Sequence, residues 1–241
     1  MGTETLHQSR EVQTVGEVVA RDYRAADVFE KHGIDFCCGG QVSLAQACQE
    51  KGIELATLLK EIEELAQEAV DRSQNYGAWE LPFLAEYIVN THHAYLRENI
   101  DSIAAYTQKI AQVHGAGHPE VIKIARIFYK IAADLKQHLI EEEQQLFPAI
   151  RKIVELKKAG GAEEAGQLEA LRSSLAALTH DHDEIGAAIH AIRALAEDYR
   201  VPPDVCNTFA VTYQKLKEFE DDLHKHVHLE NNILFLKAAL L

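Results

Sequence analysis

The chain has 241 residues, 47% of them hydrophobic and 26% charged, with 38 acidic side chains against 24 basic for a formal charge of -14. That surplus of acid argues against nucleic acid and anionic membrane as partners, because phosphate-bearing surfaces call for a basic face. No stretch approaches the ~18 uncharged apolar residues of a membrane span, and the N-terminal MGTETLHQSREVQT lacks an apolar signal core, so a cytoplasmic protein is expected.

Almost the whole chain carries helical periodicity. A capping box, Thr14-Val15-Gly16-Glu17, starts a first helix that should run to about Lys31 and stop at Gly33. A compact loop follows, Asp35-Phe36-Cys37-Cys38-Gly39-Gly40. Ser43 with Gln46 marks another helix start, and a further helix covers roughly Leu55 to Arg72. The breaker-rich stretch Ser73-Gln74-Asn75-Tyr76-Gly77 sets the expected boundary between an N-terminal helical domain, 1–76, and a C-terminal four-helix bundle, 77–241. The complete set of candidate metal ligands lies beyond that boundary, so a chain starting near Gly77 should fold and bind metal alone.

Four long helical segments are expected after it, at about 81–113, 118–158, 164–199 and 203–230. Their breaks hold Gly115-Ala116-Gly117-His118-Pro119, Gly160-Gly161 and Pro202-Pro203. Short connections between long helices predict antiparallel neighbours in an up-and-down bundle.

The third bundle helix has the clearest seam. Leu171, Leu175, Leu178, His182, Ile185, Ile189 and Ile192 recur at alternating spacings of four and three, so His182 occupies a core position. In the fourth, Leu216, Leu223 and Glu230 form one row and Phe219, His226 and Ile233 the next. In the second, Ile124, Ile131 and His138 share a row, beside Phe128, Leu135 and Glu142. In the first, Ile88, His92, Tyr95 and Asn99 continue the seam while His93 falls off it. From His92, His138 and His182, the distances to the intervening breaks agree within about a turn; the last pair misses by about one turn.

Each helix thus places one histidine in the core, and two add a glutamate four residues later on the same face. Burying two carboxylates and four imidazoles with nothing to bind would cost several kcal/mol. A pair of metal ions removes that cost. The glutamates can bridge two metals and the histidines cap them in pairs; with an oxo or hydroxo bridge, one position on each metal stays open. Imidazole and carboxylate without thiolate suits iron or manganese, and less specifically zinc. His7, His32, His93, His114, His118, His180, His190, His224 and His228 are expected at the surface.

The order H…HxxxE…H…HxxxE resembles hemerythrin-like proteins. The strings Thr91-His92-His93, His138 to Pro148, His182-Asp183-Glu184 and His226 to Asn232 are similar to one branch, the iron-sulfur cluster repair di-iron proteins of the RIC, YtfE and ScdA group. Its members share the Asp-Phe/Tyr-Cys-Cys-Gly-Gly string found here at Asp35 to Gly40 and resemble this chain over nearly its full length. Phe235-Leu236, where relatives often have Phe-Pro, is a local difference away from the ligands.

The resemblance implies an all-α, cytoplasmic stress protein with two iron ions, held by His92, His138, Glu142, His182, His226 and Glu230. It implies repair of clusters damaged by nitric oxide or peroxide, through iron donation to damaged iron-sulfur proteins or apo-scaffold proteins. Cys37 and Cys38, on an exposed Gly-rich turn, are the expected thiol relay for iron; Cys48 and Cys206 are expected as plain packing residues. Two other functions compete: a nitric oxide or peroxide reductase using the open iron positions, and an oxygen or nitric oxide sensor. A repair factor is favoured over a turnover enzyme, and a homodimer stays open.

Overall fold

The structure is a computed structural model that describes residues 13–65, 74–161 and 165–241. It is all-α: among the described residues there is no strand, only an isolated bridge between Thr14 and Ser43. No described helix is long and apolar enough to cross a membrane. The chain groups into two compact units. One takes in the described residues up to Leu84 together with His224–Leu240; the other is Ala85–Leu223 with Leu241.

In the first unit, Thr14 closes its capping box with Glu17 and starts α1 (Val15–Arg21). The expected single helix to Lys31 is two helices. Asp22 leaves the helical region at φ -147°, accepts from the Arg24 amide at 3.1 Å and grips the Arg24 guanidinium at 2.7 Å. That local bonding competes with the helix ladder and ends α1 before α2 (Ala25–Lys31) begins. Gly33 ends α2 with φ 65°. The cysteine loop leads through a 3-10 turn, Gly39–Gln41, into α3 (Leu44–Lys51), capped by Ser43. The next helix, α4, is described as Leu55–Leu65; the rest of its expected span lies outside the described residues. Val15, Val19, Phe29, Leu44 and Leu58 are buried here, as are Leu234, Phe235 and Ala238 from the chain's far end.

The helices from Leu81 onward carry the predicted seams, with differences at three π turns and at the ends of two helices. Helices α5 (Leu81–Ile88) and α6 (Ala94–His114) are joined by a π-helical turn, Val89–His93. A second π turn, Glu142–Leu146, sits between α7 (Glu120–Glu141) and α8 (Phe147–Lys158). The third helix, α9 (Ala165–Leu195), stops short of the expected residue 199. Glu197, Asp198 and Tyr199 all turn left-handed, at φ 48°, 55° and 59°. Such residues strain the backbone, and the Tyr199 hydroxyl anchors the turn by donating to the buried Glu220 at 2.7 Å. The last long helix, α10 (Asn207–Leu229), therefore starts later than Pro203. It runs into a third π turn, Glu230–Leu234, and then α11 (Phe235–Ala239). Within the second unit α6 packs on α7 and α7 on α9, and the Phe128 and Phe219 rings meet edge-on at 5.1 Å.

Candidate metal centre

Each π turn coincides with a predicted ligand. The first contains His92 and ends at His93; the second begins at Glu142; the third begins at Glu230. A π turn holds an extra residue, so side chains rotate less per step than in an α-helix. This is why His92 and His93 are both buried, at 2% and 0% exposure, although a regular helix would turn one of them outward. The surface expectation for His93 fails for that reason.

In the second unit His138, Glu142 and His182 bring their ligand atoms within 4.8 Å of one another. His138 Nε2 stands 2.9 Å from His182 Nε2 and 3.3 Å from Glu142 Oε1. His93 Nε2 approaches the other Glu142 oxygen at 3.4 Å. His92 is turned instead to Asp222, with Nδ1 at 2.9 Å from its carboxylate. His93 Nδ1 meets Glu143 at 2.8 Å, and Arg97 grips the same carboxylate. His138 Nδ1 faces Asp181 at 3.5 Å. A carboxylate accepting from Nδ1–H leaves the Nε2 lone pair for a cation, the usual support of a metal-bound histidine.

In the first unit His226 Nε2 lies 3.0 Å from Glu230 Oε1, and both side chains are fully buried. His224 and His228 are buried too, against expectation. Aromatic rings from the N-terminal segment cover them: Phe36 lies 6.0 Å from the His224 ring, and Tyr23 and Phe36 each 5.9 Å from that of His228. No seam pattern in the bundle registers that cover. Burial pushes the His228 pKa down to about 3, so its ring is neutral. Its Nδ1 accepts from the Asn232 amide at 3.2 Å.

The cysteine turn is not the exposed loop expected. Cys37 is 3% exposed and only Cys38 reaches the surface partly. The Cys37 and Cys38 amides donate to Asp35 Oδ1 at 2.9 and 3.1 Å, folding the turn inward. The thiols stand 3.9 Å apart. The Cys38 thiol, then burial, then Asp35 push the Cys37 pKa well above the usual thiol range.

The donors suit a hard or borderline cation. Glu142 and Glu230 are wholly buried carboxylates against imidazole nitrogens, an arrangement a cation stabilises. The six predicted residues are thus all buried. His138, Glu142 and His182 come together in one unit and His226 with Glu230 in the other, and His93, expected at the surface, lies beside Glu142.

Residues 84–238 match the hemerythrin HHE cation binding domain, and residues 11–66 match ScdA_N, a domain of unknown function. The chain is 32% identical over 226 residues to the iron-sulfur cluster repair protein ScdA of Staphylococcus haemolyticus, across 93% of this chain and 97% of that protein. It is 30% identical over 227 residues to the iron-sulfur cluster repair protein YtfE of Escherichia coli O157:H7, across 94% and 96%. A probable iron-sulfur cluster repair protein of Haemophilus influenzae is 30% identical over 224 residues, across 92% and 95%.

Proposed function

This chain belongs to the family of hemerythrin-like iron-sulfur cluster repair proteins, and on that premise we propose that it repairs clusters damaged by nitrosative or oxidative stress by donating iron. His92, His138, Glu142, His182, His226 and Glu230 are the proposed holders of two iron ions, with His93 a further candidate beside Glu142. One observation carries this function: buried imidazoles and carboxylates, with no thiolate among them, form the donor set. Nitrogen and oxygen ligands hold iron more exchangeably than a thiolate cage does, which suits iron as cargo.

The protein's own groups divide the work. Glu142 and Glu230 supply negative charge, while Asp222, Glu143 and Asp181 hold the imidazoles in orientation. Asp35, Cys37 and Cys38 offer ligand atoms within 4.8 Å of one another and form the proposed relay. An arriving cation would displace the Cys37 thiol proton, which the neighbouring Cys38 thiol and burial otherwise retain.

The test is transfer of iron from loaded protein to an apo iron-sulfur enzyme, with that enzyme's activity as readout. Activity should return in proportion to the iron lost by the donor. No transfer, together with catalytic consumption of nitric oxide by the reduced protein, would make it a reductase instead.

A further inference from the structure

The second unit carries a reactive pair away from the His–Glu groups. His114 is the last residue of α6, and Cys206 immediately precedes α10. His114 Nε2 and Cys206 Sγ are 3.2 Å apart. The amides of Phe209 and Ala210 donate to the Cys206 carbonyl at 3.0 and 3.4 Å, which makes Cys206 the cap of the 23-residue α10. Its sulfur therefore sits at the N-terminal end of that helix, beside the first amides of α10.

The two helix ends favour opposite charges. The C-terminus of α6, where His114 lies, favours positive charge, and the N-terminus of α10, where Cys206 lies, favours a thiolate. The rings of Phe209 and His118, with centroids at 5.4 and 6.4 Å, hold the His114 ring in place. Nucleophile, hydrogen-bonded imidazole and a fixed orientation form the pattern of an activated thiol. His114, with the α10 amides, lowers the Cys206 pKa to about 7. The neighbouring His118 ring bridges Asp204 at 3.3 Å and Glu120 at 3.1 Å. Cys206 is exposed, contrary to its expected packing role, so a reagent can reach it.

A cavity of about 490 Å3 opens from His118, lined by Glu120, Glu197, Arg200, Pro203 and Tyr213 among others. Its size fits a small molecule, and its mixed charges fit a body bearing both amino and carboxylate groups.

We propose that Cys206 and His114 form a thiolate–imidazolium pair that captures small zwitterionic disulfides of the glutathione type, with the adjoining cavity receiving the small thiol's body. The Cys206 thiolate attacks one sulfur of the disulfide and forms a mixed disulfide on Sγ. The other sulfur leaves with the bonding electron pair and takes the proton from the His114 imidazolium. The small disulfide is the oxidant, and no other co-reactant is needed.

The experiment treats full-length protein with oxidised glutathione across a pH series, locating the adduct by peptide mass spectrometry and following released glutathione. Cys206 should react ahead of Cys38, with a rate midpoint near pH 7. His114→Gln should raise that midpoint by about one unit and slow the reaction at neutral pH about tenfold, with helix content unchanged. An unmoved midpoint in His114→Gln would overturn the pair, as would reaction of Cys206 no faster than free cysteine at neutral pH. Adducts on Cys38 alone would do the same. Arg200→Ala should weaken saturation by oxidised glutathione but leave reaction with the neutral dithiodipyridine unchanged. Equal effects on both reagents, or on neither, would remove the cavity from the proposal.

Discussion

The side-chain amide of Asn232 donates to the main-chain carbonyl of Cys37 at 3.2 Å. It also reaches the Phe36 carbonyl at 3.1 Å, while its own carbonyl accepts from Gln41 at 3.3 Å. Asn232 lies in the same π turn as Glu230, two residues further on. The cysteine loop and the buried carboxylate of Glu230 are therefore tied through a single short piece of chain.

That fit leaves no room for a methyl group. A Cβ at Gly16 would stand 2.3 Å from Asn232 Oδ1, and one at Gly40 2.4 Å from the same atom. Gly16→Ala and Gly40→Ala should each destabilise the protein by about 1–3 kcal/mol, the range for overpacking. Gly166→Ala, in α9 with nothing within 4 Å, should be neutral or slightly stabilising. Urea unfolding checks all three. An unchanged midpoint for Gly40→Ala would show that Asn232 does not hold the loop as described.

Metal content tests the donor set. Purified protein should contain about two irons per chain, as expected of six nitrogen and oxygen ligands shared by two ions. His182→Ala and Glu142→Ala should lose most of it. His180→Ala should not, since that side chain is 73% exposed. His93→Ala should lower iron as well, because His93 faces Glu142 directly. Elemental analysis showing one zinc and no iron would sink the di-iron proposal, and full iron in His93→Ala would confine His93 to a structural role.

The seams of the bundle were legible because the rows begun by Leu171, by Ile124 and Phe128, and by Leu216 each continue at helical spacing, and the same rows carried His182, His138, Glu142 and Glu230. What a fixed period could not register was a change of period. The π turns bring His93 inward beside His92, and no residue type announces them. The break at Asp22 and the left-handed run at Glu197–Tyr199 were likewise hidden, since each depends on a specific side-chain bond rather than on a glycine or proline. His224 and His228 were misplaced because their cover, Tyr23 and Phe36, lies 188 to 205 positions away in the chain. Cys206 gave no signal at all; its exposure and the 3.2 Å contact with His114, 92 positions away in the chain, appear only in the fold.

Glu220 should be costly to remove. It is fully buried, accepts from Arg193 Nε at 2.9 Å and from the Tyr199 hydroxyl at 2.7 Å. Breaking such a group takes away a buried carboxylate partner of Arg193, at about 3–5 kcal/mol for a fully buried pair; Arg193 keeps 32% exposure, which moves the expectation to the lower end. Glu220→Ala should lower the thermal midpoint sharply, and Glu220→Gln less. Equal, negligible shifts in both would mean that the left-handed turn is held by packing alone.

A chain starting at Gly77 tests whether the C-terminal part stands alone. The buried surroundings of His228 and Asn232 change the earlier expectation. In the truncated chain His228 loses Tyr23 and Phe36, and Asn232 loses its contacts at Phe36, Cys37 and Gln41. Exposing those groups next to Glu230 should lower iron retention and solubility relative to the full chain. A soluble fragment with full iron would show that the N-terminal segment contributes only cover.

The cysteines should separate holding iron from delivering it. Neither thiol belongs to the His–Glu donor groups, so Cys37→Ser with Cys38→Ser should leave iron content and the charge-transfer spectrum unchanged. Serine retains the size and a hydrogen-bonding group at Cys37, and the Asn232 bond goes to the main-chain carbonyl, so the loop should keep its place. What the variant removes is a pair of soft ligands beside Asp35. Cys38 is the partly exposed member and Cys37 the buried one, so Cys38→Ser alone should account for most of any loss in iron transfer to a client. The measurement pairs iron quantitation with complementation of a repair-deficient strain under nitric oxide stress. Weakened repair at full iron content supports a relay. Full repair by the double variant would make both cysteines structural. Iron loss in the double variant would place the loop among the groups that hold the metal, through the link from Cys37 to Asn232 and Glu230.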